Sequence, residues 1–155
     1  MIGIAVATAI MAAYLGWYLA RYGVPFSISR TVFKLPHEVI FTLVMYAVAF
    51  LTIVPMMDAC SEDTKVMAFL TMASIGFVGA TPLGRNCDER VHMGAAILFG
   101  VCSQLMIALN MPQLLWGWLP VALFIFLIDR LEHWLFLAEV VCITLLLIFC
   151  VTSNA

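Results

Sequence analysis

Glu38, His92 and Glu139 are ionisable side chains that lie inside or at the start of stretches otherwise free of charge. Glu139 follows Glu132 by seven residues, so on a helix it shares that face about two turns, roughly 10 Å, further along. His92 opens an apolar stretch beside Ala95 and Ala96, small neighbours that leave room for a second helix. An ionisable group at membrane depth is costly and points into a bundle towards a partner. His92 and Glu139 are therefore expected to pair. A histidine with carboxylates has three uses, as an acid–base couple, a metal site or a buried hydrogen-bonded clamp, and spacing alone does not choose among them.

Other polar residues gather at the same ends of the stretches. Together they make Ser27, Ser29, His37, Glu38, His92, His133 and Glu139 the candidates for holding a ligand, with His92, Glu139 and Glu38 the candidates for catalysis. H-x-x-x-H, H-E-x-x-H and G-x-S-x-G do not occur, so the usual local signatures of metalloproteases and serine hydrolases are missing. No cofactor or resident metal is expected. The cysteines Cys60, Cys87, Cys102, Cys142 and Cys150 show no C-x-x-C spacing and read as small core residues. Asp129 and Glu132 read as solvated loop charges.

The elements that must position these groups are membrane helices. Of the 155 residues, 65% are hydrophobic and 10% charged, and the mean hydropathy is +1.12. Runs of about 18 apolar residues cross a hydrocarbon core roughly 30 Å thick, and Met1–Ala20, Val39–Met57 and Val66–Gly84 carry no charge. The expected fold is all-α, one bundle of six transmembrane helices over residues 1–20, 37–57, 65–80, 90–109, 113–128 and 133–151. Pro36 suits the first turn of span two, Pro55 should end or bend that span, and Pro120 should kink span five. Gly76 with Ala80 and Ala96 with Gly100 have small-xxx-small spacing, which predicts that spans three and four pack closely. Residues 24–35 alternate apolar and polar side chains, the pattern of an extended or interfacial segment.

Spanning consumes nearly the whole chain and leaves no room for a soluble catalytic or nucleic-acid-binding domain. A net charge of −2 also offers no basic surface for phosphate backbones. The N-terminus lacks a basic n-region and a cleavage site before a polar chain, so span one is expected to be retained. Arg21, Arg30, Lys34, Arg85, Arg90 and Arg130 fall on the face carrying the loops after spans one, three and five, against Lys65 alone opposite. By the positive-inside rule that first-loop face should be cytoplasmic, with both termini outside a bacterial inner membrane.

Pro25-Phe26-Ser27-Ile28-Ser29 followed by Pro36-His37-Glu38, then Val91-His92-Met93-Gly94-Ala95-Ala96, and Glu139 in the last span form a pattern across nearly the whole chain. It resembles the six-span proteins of the Frag, DRAM and Sfk group and a related bacterial family of unknown function. The resemblance implies association with lipid, membrane trafficking or stress responses, without a general enzymatic activity, and makes Glu38, His92 and Glu139 the site candidates. It also implies the opposite orientation, with the first loop outside and the termini cytoplasmic.

The function expected on these grounds is binding of a lipid or small amphiphile in a polar pocket near the first-loop face, or service as a membrane subunit. Membrane lipid is the expected partner, with a homo-oligomer or another membrane protein as further partners and nucleic acid excluded. An intramembrane lipid hydrolase or transferase using a His/Glu pair is the first alternative. A channel or transporter formed by oligomerisation is the second.

Overall fold

In the first apolar stretch Ile4, Ala7, Met11, Tyr14 and Tyr18 recur every three or four residues and turn to one side. Phe41, Met45, Val48, Thr52 and Met56 do the same in the second. A computed structural model describes residues 2–81, 89–129 and 132–154. It is all-helical, with no strand among those residues. The helices are α1 (Ile2–Tyr22), α2 (Val39–Ala59), α3 (Lys65–Ala80), α4 (Glu89–Asn110), α5 (Trp118–Phe124) and α6 (Trp134–Ser153). The opposite sides of the helices are as apolar as the core: Phe50 is 80% exposed, and Leu43, Val54 and Ile97 are also exposed. A helix hydrophobic all round belongs in lipid.

Four helices, α1, α2, α4 and α6, have the length and apolarity of a membrane crossing. The expected six are met in helical type but not in length. At 16 residues α3 rises about 24 Å, short of a core about 30 Å thick. The fifth stretch is broken into a 3₁₀ helix (Pro112–Gly117), α5 and a π turn (Ile125–Asp129). Pro120 does not kink an established helix there. It stands in the first turn of α5, where a missing N–H costs little.

α6 runs parallel to α2, since it starts beside the first loop and finishes beside the end of α2. At the end opposite the first loop, Asn110 accepts from the Ser61 amide at 3.2 Å and donates to Thr64 Oγ1 at 2.9 Å. Asn154 Nδ2 donates to the Pro55 carbonyl at 3.1 Å. Pro55 sits inside α2 and does not end it. Having no N–H, it frees the Leu51 carbonyl, and Gly3 of α1 packs against that oxygen so closely that a Cβ would stand 2.5 Å from it.

α3 packs along both α2 and α4. The close approach predicted at Gly76 and Gly100 is absent, because a Cβ at either meets nothing within 4 Å. Gly79 is the tight position: its Cβ would lie 2.8 Å from Met45 Cβ, and its carbonyl accepts from Thr42 Oγ1 at 2.8 Å. Spans three and four do pack together as the small-residue spacing predicts, with Ala96 against the core, but Gly76 and Gly100 are not their points of closest approach.

Candidate functional site: an apolar cavity closed by the first loop

The segment after α1 is neither extended nor spread on the surface. Ser29–Lys34 form a 3₁₀ helix that folds back into the end of the bundle, burying Ser27, Ile28, Ser29, Thr31 and Val32. Thr31 holds it to α1 through a hydrogen bond with the Tyr14 hydroxyl. Ser27 Oγ accepts from the Arg30 amide at 3.2 Å, and the Arg30 guanidinium lies 4.9 Å from the centre of the Phe26 ring. Alternation failed as a guide because the buried residues follow the three-residue repeat of a 3₁₀ turn, Ile28 with Thr31 and Ser29 with Val32, and not the two-residue repeat of a strand.

The loop meets α6 at Glu139. The Ile28 amide donates to Glu139 Oε2 at 2.5 Å, linking residues 111 positions apart in sequence. Behind this contact lies a cavity of about 80 Å³, walled by side chains of α1, α2, α3, α4 and α6. That is space for several water-sized groups, since one needs about 10–15 Å³ on the same measure. Glu139 and Ser29 form part of the wall where the loop enters, and Met45, Val48, Thr52 and Met56 carry it along α2. Phe41 to Met56 covers about 22 Å of helix axis. Thr52 spends its hydroxyl within the protein, donating to the Val48 carbonyl at 2.6 Å with Met72 Sδ at 3.1 Å. The deep wall therefore presents hydrocarbon and thioether, and the loop end presents a carboxyl and a hydroxyl.

His92 does not pair with Glu139. It is 2% exposed, and its Nδ1 lies 2.7 Å from the carbonyl of Thr81, the C-cap of α3. A carbonyl only accepts, so this bond puts the proton on Nδ1. Nε2 is left buried without a hydrogen-bond partner among the described residues. His92 thus fastens the end of α3 to the start of α4, and it is absent from the cavity wall. The pairing was expected because both residues belong to spans meeting the same face, but a free helix-terminal carbonyl lay closer.

Of the other candidates, Ser29 and Glu139 alone line the cavity. Ser27 is buried within the loop, His37 is exposed, and Glu38 is the half-buried N-cap of α2. His133 is the N-cap of α6, and Glu132 is exposed as expected. The side chain of Asp129, and Arg85, Cys87 and Arg130, lie outside the described residues. Sequence reasoning missed Tyr14, Thr31 and Thr52. Tyr14 and Thr52 had a usable signal, a polar tip within an inward stripe of three-and-four spacing.

Comparison with protein-family models, with curated proteins and with solved structures finds no match.

Proposed function

We propose that this chain is a membrane-embedded binding protein for a lipid or other amphiphile with one slender chain. The head would sit at Glu139 and Ser29 and the tail would lie along α2. The observation that carries this reading is the cavity: a narrow apolar space running along α2 whose polar groups open to it gather at one end. Ligand sites are concave and mostly apolar, with a few placed polar groups. Three methionines in the wall, Met11, Met45 and Met56, suit a flexible tail because thioether side chains adapt their shape. The resemblance to the Frag, DRAM and Sfk group, with its implied lipid association, agrees with this reading. A hydrolase or transferase built on His92 has less support, since that side chain is engaged with Thr81 and does not line the cavity.

We read all six helical stretches as crossing the membrane. With the turn Glu62–Thr64 ahead of it, α3 becomes a helical stretch of about 30 Å, and the fifth stretch is helical from 112 to 129. We place the first loop in the cytoplasm of a bacterial cell, on Arg21, Arg30, Lys34 and Arg90 against Lys65.

Lipid extraction from purified protein tests the binding reading. Wild-type protein should carry a stoichiometric amphiphile detectable by mass spectrometry. Val48→Phe, which fills the middle of the cavity, should fold and lose it. Equal retention by both proteins would refute an amphiphile held in this cavity.

A further inference from the structure

The cavity wall restricts which head group an amphiphile there can carry. Glu139 is the charged side chain of that wall; no Lys, Arg or His lines it among the described residues. An ionised carboxyl accepts hydrogen bonds at about four sites, and Glu139 receives one donor, the Ile28 amide. The ion pair Lys65–Glu62 lies at the other end of the bundle, and no basic side chain among the described residues pairs with Glu139. The Ile28 amide donates to Oε2, and a cation set beside the carboxyl would hold it ionised. Ser29, one residue beyond that amide, brings a hydroxyl to the same wall, and that hydroxyl makes no hydrogen bond to the described residues.

A buried anion is completed by a cation that also donates hydrogen bonds. A fatty acid or an anionic phospholipid would bring a second negative charge to Glu139, with no basic side chain among the described residues of the wall to receive it. A long-chain alcohol would supply a donor and leave the charge unbalanced. A primary ammonium has three N–H donors and a full charge, matching a carboxylate and a hydroxyl in one wall. We propose that the cavity selects a long-chain primary amine, its ammonium held by Glu139 and Ser29 and its alkyl chain directed towards Met56.

This rests on the cavity being an amphiphile site, so the test separates the two claims. Full-length protein in phosphatidylcholine nanodiscs is titrated with radiolabelled hexadecylamine, and unlabelled hexadecylamine, hexadecanol and palmitate compete. In the wild type the amine should bind about tenfold or more tighter than the alcohol, as a charged hydrogen bond warrants, with palmitate weakest. Glu139→Gln keeps an acceptor for the Ile28 amide and should bring amine and alcohol to equal affinity. Val48→Phe should remove all binding. Equal affinity for amine and alcohol in the wild type, or a preference for amine that survives Glu139→Gln, would overturn the amine assignment while the amphiphile reading stood. No binding by any probe, or binding indifferent to Val48→Phe, would overturn both.

Discussion

His92 is the residue whose role changes most between sequence and structure. A histidine at the head of a span invites a catalytic reading, yet the Nδ1 contact with the Thr81 carbonyl makes it a fastener between two helix ends. Removing it strands a carbonyl at the C-cap of α3, and an unmet buried polar group costs about 1–3 kcal/mol. His92→Ala should therefore lower thermal stability by that amount while leaving amphiphile content unchanged, since the side chain is not in the cavity wall. Paired melting curves and lipid extraction check this; unchanged melting would remove the clamp. Cys60, just past the end of α2, gives a second residue-scale expectation. Burial pushes its thiol up from the ordinary range, and Thr64 and Lys65 pull it back only in part. Maleimide should label it slowly at neutral pH in the folded protein and readily once unfolded. Prompt labelling of the folded form would contradict its burial.

Among the elements, the glycines separate packing from composition. Gly3 and Gly79 each sit where a Cβ would intrude on a neighbouring helix, at the Leu51 carbonyl and at Met45. Gly76 and Gly100 have open space. Gly3→Ala should destabilise by about 1–3 kcal/mol, because the atom it meets is rigid backbone. Gly76→Ala should be neutral or should stabilise by up to about 1 kcal/mol, through helix propensity alone. Thermal unfolding of the two variants in one detergent decides it, and the reverse order would mean that Gly76, and not Gly3, is a point of close helix approach. The apolar length of the stretches made all six helical stretches legible, and the stripes in α1 and α2 carried the core. Which glycines matter was not legible, because a small residue looks the same whether it faces a helix or lipid. The close approach at Gly3 depends on Pro55 freeing a carbonyl in another helix. The first loop was misread for a related reason: its inward residues are fixed by tertiary partners, Tyr14 and Glu139, that local pattern cannot reveal.

At the scale of the whole molecule the helices and the first loop surround an apolar space, bordered at one end by the contact of Ile28 with Glu139. Sequence identified two wall residues, Ser29 and Glu139, but the cavity itself is a property of five helices together and has no local signature. Six crossings, as proposed, would put residues 63 and 132 on opposite sides. In a background without native cysteines, Asp63→Cys and Glu132→Cys should be labelled by a membrane-impermeant maleimide from opposite faces, whichever way the protein inserts. Labelling of both from one face would contradict six crossings. The central claim, an amphiphile held inside the bundle, is tested most directly by a sixteen-carbon alkyl alcohol carrying a diazirine in mid-chain. It is photolysed with the full chain in nanodiscs and mapped by peptide mass spectrometry. The account predicts saturable labelling at inward positions such as Met45, Met56 and Leu146, displaced by excess unlabelled alcohol and lost in Val48→Phe. Labelling confined to lipid-facing residues such as Leu43 and Phe50, undiminished by competitor, would contradict it.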